Sequence, residues 1–389
     1  MIAVHPVHRE TMTTLQDLPT PCLVLDRPRL LRNIARMADR AAELGVMLRP
    51  HLKTPKSVDV ARLLMQRQAR GITVSTLLEA EHFAAHGFHD QFYAVPLPPD
   101  KVPRVAALLR AGTDVVCVAH DLDALPALSD AARAQGVVLP LVIDVDIDHH
   151  RSGVEAGAPE FLALARAIHA SPHLDLRGIM IYAGASYDAP DTGAIAQLAE
   201  RIREGGIQAR DLLRAQGLPC PMVSYGSSPG TFFARSMEGI TESRAGVYPF
   251  QDLFQAGLGA CGIDDIALGV LTTVTATQPA RNRIVVDAGG LALSKDRSTE
   301  GTGFDAGYGL VCDLEGRVIP DLVVASASQE ISLVTTRSGA AFDVAAFPVG
   351  RRLRILPNHA CFTAAAHPGY HVVDGGGEVS AWWPRVNGW

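Results

Sequence analysis

The stretch "VMLRPHLKTPKS", residues 46–57, is an apolar run that ends in a cluster of charges. Pro50 and Pro55 lie on either side of Lys53, and proline fixes its backbone dihedral and ends strand hydrogen bonding. The run therefore predicts a buried strand followed by a rigid loop that holds a lysine. A lysine at a strand end is usually a solvated residue, but an amine held still at the end of a barrel strand can form a Schiff base.

Runs of strand length recur along the next two hundred residues, and helical patterns separate them. Apolar residues in 27–45 and 191–217 recur at three- and four-residue steps, which is typical of helices. Strand and helix alternation indicates parallel βαβ units. The predicted strands are 46–51, 71–75, 91–96, 114–119, 139–146, 176–182, 221–226 and 241–248. Eight such units predict a closed (β/α)8 TIM-like barrel. An open doubly wound sheet is the alternative, but its GxGxxG motif is absent.

The pattern changes after about residue 255, where long helical stretches give way to short β-rich runs between glycine turns. These runs are 268–277, 283–290, 321–326, 352–361 and 370–383. A further run, "CLVLD" at 22–26, precedes the barrel and could pair with them. The sequence therefore predicts a mixed α/β chain with two domains. Residues 27–255 would form the barrel, and residues 1–26 plus 256–389 would form an all-β domain.

The composition excludes several classes of protein. The chain has 389 residues with 48% hydrophobic and 20% charged residues, which suits a globular protein with a large core. A net charge of −6 argues against nucleic-acid or anionic-membrane partners. No apolar run approaches a membrane span, and the first twenty residues lack the apolar region of a secretory signal. Six scattered cysteines without a CxxC pair fit a reducing compartment, so we expect a cytoplasmic protein.

Two glycine-containing turns lie where a barrel enzyme would bind phosphate. Barrel active sites lie at the C-terminal ends of the strands, and phosphate groups are commonly bound after strands 7 and 8. The seventh predicted strand runs into "YGSSPGT", residues 225–231, and the eighth contains "RAGVY", residues 244–248. Glycines allow close backbone approach, and serine hydroxyls and loop N–H groups donate to anions. A phosphate site opposite Lys53 is what pyridoxal 5′-phosphate requires, because the protein holds the phosphate and the aldehyde.

Polar residues after the fifth and sixth predicted strands are further candidates. Arg151 is either a surface residue or a donor to the phenolic oxygen of the cofactor. Tyr182 is expected against the cofactor ring and Tyr187 at the substrate, although lone tyrosines are as often structural. We expect His149 and His150 to be bystanders, with one of them lining the pocket as the alternative.

Seven motifs together carry a family resemblance. They are "LPTPCLVLD" (18–26), "RPHLKTPKS" (49–57), "GITVSTLLEAE" (71–81), "HHRSGV" (149–154), "YGSSPGT" (225–231), "ESRAGVY" (242–248) and "LPNHAC" (356–361). In this order the chain resembles the D-serine dehydratase and D-threonine aldolase family, whose relatives include the 3-hydroxy-D-aspartate dehydratases. These are pyridoxal phosphate enzymes of the alanine-racemase-like class.

The resemblance implies a role for each matched residue. Lys53 would be the Schiff-base lysine, and Arg151 and Tyr182 would flank the ring. Arg244 would lie at the pyridine nitrogen, where an arginine cannot give up its proton. The remaining cofactor-binding residues, around the phosphate, would be Tyr225, Gly226, Ser227, Ser228, Gly246 and Tyr248.

The resemblance also implies a divalent metal ligated by His359 and Cys361. A spacing of two on a strand would put both side chains on one face. An imidazole with a thiolate favours zinc over harder cations, with manganese as the alternative. The chain departs from the family at Ile331, where many relatives carry histidine, and this leaves the substrate or an accessory base open.

The expected activity is the metal-dependent dehydration of a 3-hydroxy D-amino acid to a 2-oxo acid and ammonia. D-serine, D-threonine and 3-hydroxy-D-aspartate are the candidate substrates. The histidine–cysteine pair resembles the dehydratases, whereas the aldolases usually pair histidine with aspartate. An aldolase that forms glycine and an aldehyde is the alternative. A non-catalytic pyridoxal phosphate protein fits less well, because such a protein resembles a lone barrel and this chain adds a long β domain with a metal motif. We expect a homodimer with its active site at the subunit boundary.

Overall fold

A computed structural model describes residues 13–67, 69–149, 152–375 and 377–389. Within these residues the strands form two separate sheets. The strands are β1 (Cys22–Asp26), β2 (Met47–Leu48), β3 (Ile72–Val74), β4 (Asp90–Pro96), β5 (Asp114–Ala119), β6 (Leu139–Asp146), β7 (Val154–Glu155), β8 (Leu174–Tyr182), β9 (Met222–Gly226), β10 (Glu242–Ser243), β11 (Leu268–Gln278), β12 (Arg283–Val286), β13 (Leu310–Cys312), β14 (Val318–Ala327), β15 (Ser332–Thr336), β16 (Arg352–Leu356), β17 (Gly369–Val373) and β18 (Val379–Pro384).

The α-helices lie mainly between the strands of the first sheet. They are α1 (Arg27–Glu43), α2 (Val58–Met65), α3 (Leu77–Ala85), α4 (Val102–Arg110), α5 (Leu125–Gln135), α6 (Pro159–Ala170), α7 (Thr192–Ala215), α8 (Ser228–Phe233), α9 (Leu253–Gly257), α10 (Gly290–Leu293) and α11 (Ala360–Ala365). None of the helices that the structure describes is long and apolar enough to cross a membrane.

The first sheet is the predicted barrel. Its strands are parallel and follow the order β2-β10-β9-β8-β6-β5-β4-β3, with the two-residue β7 added beside β6. Parallel bridges from Leu48 to Ala69 and from His51 to Thr73 join the two ends of this order. The bridges close the sheet, so the prediction of an eight-stranded barrel is confirmed, as are the helices expected in 27–45 and 191–217.

Helix α1 shows how the sequence builds the barrel wall. Asp26 ends β1 and caps the helix by accepting the backbone N–H of Arg29, and Pro28 occupies the first turn. Leu30, Ile34, Met37 and Ala41 are buried at three- and four-residue steps. The last residue of β1 therefore begins the first barrel helix directly, which holds the two sheets close together.

The second sheet is mixed but largely antiparallel, in the order β12-β15-β14-β13-β16-β11-β1-β17-β18. Strand β1 lies in this sheet, antiparallel to β11 and parallel to β17. The additional all-β layer predicted from the sequence is therefore present. The domain boundaries at residues 26 and 256 remain a prediction.

Two β-rich runs end earlier than the sequence pattern predicted, and the first of them, 283–290, forms a strand only to Val286. The run 352–361 forms a strand only to Leu356, and residues 360–365 form α11. The carbonyl groups of Pro357 and Asn358 accept the backbone N–H groups of α9 instead of those of a neighbouring strand. The expectation that His359 and Cys361 lie on a strand is therefore wrong, because the chain leaves the sheet at Pro357.

Candidate active site

The C-terminal ends of the barrel strands open into a cavity of about 510 Å³. A smaller cavity of about 140 Å³ adjoins it and shares His51, Lys53, Tyr182 and Arg244 with it. The far wall of the larger cavity includes His359 and Cys361. Both lie in the part of the chain that forms the second sheet and its connecting segments, which we call the second sheet region. The arrangement brings the predicted lysine and the predicted metal ligands to one space, at the end of the barrel where active sites are expected.

The two lysines of the loop after β2 have different surroundings. Lys56 has a positive φ of 44°, and its Nζ lies 3.1 Å from Oε1 of Glu79, whose side chain is 1% exposed. Lys53 lines both cavities, and its backbone N–H donates to Nδ1 of His51 at 3.4 Å. The amine of Lys56 is therefore paired with a buried carboxylate, whereas the amine of Lys53 lies at the cavity wall.

Arg244 lies at the base of the cavity in a rigid setting. Its Nη1 donates to Oγ of Ser224 at 2.5 Å, and its Nη2 donates to the carbonyl of Ile181 at 3.1 Å. The guanidinium lies 4.9 Å from the centre of the Phe92 ring. Burial lowers the pKa of Arg244 to about 10, so the side chain remains cationic at neutral pH. Ser224 in turn donates to Glu242 at 2.5 Å, which fixes the orientation of the arginine.

Ser227 shapes the turn after β9. It has a positive φ of 135°, and its Oγ accepts the backbone N–H of Gly230 at 3.0 Å. Ser186 gives its hydroxyl proton to the carbonyl of Ala183, so Ser227 must be the donor in the 2.8 Å contact between the two serine hydroxyls. The hydroxyl of Ser227 is therefore already used inside the protein.

Ser228 retains a proton that it can donate. Its Oγ accepts the backbone N–H of Gly246 at 3.1 Å, and its own O–H remains for a further acceptor at the cavity wall. At Gly226, an added Cβ would lie 2.9 Å from both Nη2 of Arg244 and Cδ2 of Tyr182. Glycine is required there because the backbone passes so close to two side chains that line the cavity.

Tyr225 and Tyr248 lie behind the cavity and line neither of its two parts. Both are fully buried, and burial raises the pKa of each phenol above its ordinary value. The hydroxyl of Tyr225 points towards Gly230, where an added Cβ would come within 2.2 Å of it. Their contact with a cofactor stays a prediction.

Tyr182 and Tyr187 line the larger cavity. The ring of Tyr187 stacks on Phe254, with centroids 6.0 Å apart and an angle of 25°. Burial, followed by the neighbouring Tyr182, raises the pKa of Tyr187 well above its ordinary value, so the phenol stays protonated at neutral pH. The neutral hydroxyl of Tyr187 is therefore placed close to both the Gly-Ser turn and the metal-ligand candidate Cys361.

Arg151 lies outside the described residues, as does His150, so its predicted contact with the cofactor rests on the sequence alone. His149 has an exposed side chain, lies 3.6 Å from Glu155 and lines neither cavity. Ile331 is 47% exposed and also lines neither cavity.

His359 and Cys361 are brought to the cavity by the start of α11. His359 is the N-cap of this helix, and Cys361 lies in its first turn. Asp252 accepts the backbone N–H of Ala360 with one carboxylate oxygen and that of Gln255 with the other, both at 2.9 Å. A single buried carboxylate thereby fixes the starts of α9 and α11.

The electrostatics of His359 and Cys361 favour a charged pair. Burial opposes the imidazolium, but hydrogen bonds to Asp296 and Cys361 outweigh it and raise the pKa of His359 to about 11. Burial also opposes the thiolate, but the hydrogen bond and charge of His359, with the charge of Lys53, lower the pKa of Cys361. Nδ1 of His359 lies 3.5 Å from Asp296, and Oγ1 of Thr54 lies 3.0 Å from Sγ of Cys361.

Within the described residues, no group of three or more histidine, cysteine or acidic side chains could hold a metal ion. The two side chains are therefore at most a partial ligand set. Each has a supporting partner, Asp296 for the imidazole and Thr54 for the sulfur, as is common around metal ligands.

Sequence reasoning missed several residues that form the site. Asp252 had a usable signal, because an acidic residue just before a short helical run is a typical N-cap. For Thr54 the only signal in the sequence was its position beside Lys53. Asp296 had no local signal, since it meets His359 through the fold of the second sheet region.

Comparisons with known proteins find similar sequences and similar folds. Residues 25–252 match the family model "Alanine racemase, N-terminal domain", and residues 267–373 match "Putative serine dehydratase domain". D-threo-3-hydroxyaspartate dehydratase of Delftia sp. (strain HT23) is 46% identical over 97% of this chain and 99% of that protein. A solved structure of a cysteine-to-alanine mutant of D-threo-3-hydroxyaspartate dehydratase, in the metal-free form, has a TM-score of 0.94 at 45% identity and covers 97% of this chain and 100% of that chain. 3-Hydroxy-D-aspartate aldolase of Paracoccus denitrificans (strain Pd 1222) is 31% identical over 95% of this chain and 92% of that protein.

Proposed function

The chain belongs to the family of alanine-racemase-fold lyases that includes D-threo-3-hydroxyaspartate dehydratase, and we propose that it dehydrates a 3-hydroxy D-amino acid with pyridoxal phosphate and a divalent metal. The observation that carries this proposal is the placement of Lys53 and the His359–Cys361 pair on the same cavity. One side supplies an amine, and the other supplies a soft metal-ligand pair close enough for Lys53 to affect the pKa of Cys361.

The cavity fits pyridoxal phosphate. Gly226 lacks the Cβ that would fill the space beside Arg244 and Tyr182, and an added Cβ at Gly246 would lie 2.9 Å from Cβ of His51. The free hydroxyl proton of Ser228 suits a phosphate oxygen. When bound, the cofactor would supply an electron sink for the carbon from which a proton is removed.

Three side chains would perform distinct tasks around that group. Nζ of Lys53 would hold the cofactor and then take the α-proton of the substrate. Arg244 would donate to the ring nitrogen without giving up its proton, because the guanidinium stays charged even after burial lowers its pKa. Tyr187 would offer its neutral hydroxyl to the substrate.

The donor set at His359 and Cys361 fits a borderline-soft divalent cation such as zinc. Manganese is the alternative. When bound, the metal would act as a Lewis acid towards the β-hydroxyl of the substrate. The protein itself would hold the imidazole through Asp296 and the sulfur through Thr54, and the absence of a third ligand among the described side chains would leave room for substrate oxygens.

The proposed reaction removes the α-proton and the β-hydroxyl as water, and hydrolysis of the resulting enamine yields a 2-oxo acid and ammonia. We propose 3-hydroxy-D-aspartate, D-serine or D-threonine as substrate, with the first supported by the 46% identity to a dehydratase of that class. Aldol cleavage to glycine and an aldehyde is the second candidate, and the 31% identity to an aldolase supports it.

Product analysis tests the proposal directly. We expect protein loaded with pyridoxal phosphate and zinc to release ammonia and 2-oxo acid in equal amounts from at least one of D-serine, D-threonine and the two 3-hydroxy-D-aspartate diastereomers. The L-enantiomers are the matched control and should react at least about a hundredfold more slowly, since one α-proton faces the base. Glycine plus an aldehyde as the main product would establish the aldolase instead.

A homodimer is also part of the proposal, because apolar side chains are exposed at the cavity mouth. Phe362 is 57% exposed and Trp389 is 90% exposed, and both line the larger cavity. Such residues often mark an interface. Sedimentation velocity should therefore give about twice the monomer mass of 41.4 kDa. A fully active species of monomer mass would contradict this.

We further propose a cytoplasmic location. All six cysteines fall within the described residues, and none of them forms a disulfide there. Free thiols at this number fit a reducing compartment.

A further inference from the structure

The segment that follows β18 runs across the loop that carries Lys53. Nη1 of Arg385 donates to the carbonyls of Thr54 and Pro55, at 2.8 and 2.9 Å. The backbone N–H of Val386 donates to the carbonyl of Lys56 at 2.9 Å. The carbonyls of three consecutive loop residues are thus bound by two consecutive residues from the distant end of the second sheet.

Within the loop, the backbone N–H of Lys56 donates to the carbonyl of Leu52 at 2.8 Å, whereas the carbonyls of residues 54–56 are bound from outside the loop. Pro55 has no N–H to donate, and Lys56 has a positive φ of 44°, which is costly for a residue with a Cβ. The hydroxyl of Tyr370 on β17 also donates to the Pro55 carbonyl, at 2.7 Å. The guanidinium carbon of Arg385 lies 5.4 Å from the centre of the Tyr370 ring, and Nη1 of Arg385 also donates to the Tyr370 hydroxyl, so both side chains bind the Pro55 carbonyl.

The side chains of this loop reach three separate parts of the site. Lys53 lines both cavities, Thr54 contacts the sulfur of Cys361 at 3.0 Å, and Lys56 pairs with Glu79 of α3. A shift of the loop backbone would therefore move the amine and the hydroxyl that supports the metal-ligand candidate at the same time. Catalytic groups displaced by about 1 Å can lose about a hundredfold in rate.

We propose that Arg385 is a positioning residue that fixes the loop 53–56 and thereby sets Lys53 and Thr54 at the cavity. The role rests on the proposed function of Lys53 as the base. Arg385 lines neither cavity, so it acts through the loop and not on substrate. The same segment continues to Trp389, which lines the larger cavity.

The chain offers a closely matched control. Arg351 also donates from Nη1 to a backbone carbonyl, that of Ala346, and its guanidinium carbon lies 4.6 Å from the centre of the Phe347 ring. It lies in the same sheet region but lines neither cavity. R351A therefore removes the same kind of interaction without touching the loop.

The test measures amide hydrogen exchange and turnover for R385A, R385K and R351A. In the cofactor-free protein, R385A should speed exchange in the 50–60 peptide about tenfold, through loss of two hydrogen bonds, and leave barrel peptides such as 139–146 unchanged. Loaded with cofactor and metal, R385A should lose about 10- to 100-fold in kcat with KM within about threefold. R385K, which keeps a cationic donor, should show smaller changes in loop exchange and in kcat than R385A. R351A should match the wild-type chain in both measurements.

Loop exchange and kcat must change together in every Arg385 variant that folds. The proposal is overturned if R385A or R385K lowers kcat while exchange at residues 50–60 stays at the wild-type level, or if exchange rises with no loss of kcat. It is also overturned if R351A reproduces the effects. Failure of the proposed function would look different, because wild-type protein would then release no product while the exchange results in cofactor-free protein would still hold.

Discussion

Replacing Lys53 with alanine should lower turnover by at least about a thousandfold, because the variant loses both the attachment of the cofactor and the base that takes the α-proton. The proposed phosphate contacts at Ser228 and Gly246 and the guanidinium of Arg244 would remain, so the variant should still bind pyridoxal phosphate non-covalently. Absorbance titration measures that binding, and borohydride reduction followed by peptide mapping locates the covalent link. In wild-type protein the link should be found on the peptide that contains Lys53.

The neighbouring lysine makes this test sharp. Lys56 is three residues away in the same loop and lines the same cavity, but its amine pairs with the buried carboxylate of Glu79. Borohydride labelling of Lys56 in place of Lys53 would contradict the assignment. Lys101, which lines neither of the two cavities, is the control, and Lys101→Ala should stay within about twofold of wild-type turnover.

Much of the barrel could be predicted from the sequence because its strands are buried on both faces. The strands 114–119 and 139–146 were predicted with the bounds that the structure shows, since continuous apolar runs between helical patterns leave little freedom. The first and last barrel strands were predicted too long. Residues 244–248 stay buried beyond the end of β10, so the apolar pattern continues where regular pairing has stopped.

The candidate site was less predictable because its parts meet through tertiary structure. Position in a motif was enough to place Lys53, Gly226, Ser228 and Arg244 at the cavity. The same motifs also contained Tyr225, which is buried behind the cavity, and no local pattern separates a tyrosine that faces the cavity from one that faces away. His359 and Cys361 reach the cavity from a helix start, because Asp252 holds the backbone of Ala360.

The hydroxyls of the Gly-Ser turn illustrate a limit of another kind. Sequence reasoning treats Ser227 and Ser228 as equal donors. The structure assigns the proton of Ser227 to Ser186 and leaves that of Ser228 available, and this follows only from counting donors and acceptors around both residues. A sequence pattern lists the groups that are present, whereas the hydrogen-bond network decides which of them is left for a ligand.

Removing the metal should have the second large effect. We expect chelator-treated protein to lose at least about a hundredfold in dehydration rate, because the β-hydroxyl is a poor leaving group without a Lewis acid. Folding and cofactor binding should be retained, since Asp252 fixes the starts of α9 and α11 without using His359 or Cys361 as structural partners. Circular dichroism and absorbance titration of the chelated protein check both points, and added zinc should restore the rate.

The identity of the ligands can be tested separately from the rate. Zinc should protect Cys361 from alkylation in proportion to its occupancy, whereas Cys22 on β1, which lines neither cavity, should react equally slowly with and without zinc. Cys361→Asp exchanges a soft ligand for a hard one, so it should weaken zinc binding, favour manganese and lower dehydration relative to aldol cleavage. The longer aspartate side chain would also place its ligand oxygens differently from the sulfur, which lies 3.0 Å from Oγ1 of Thr54. A metal-free protein that dehydrates its best substrate at the untreated rate would show that His359 and Cys361 serve the fold and not the chemistry.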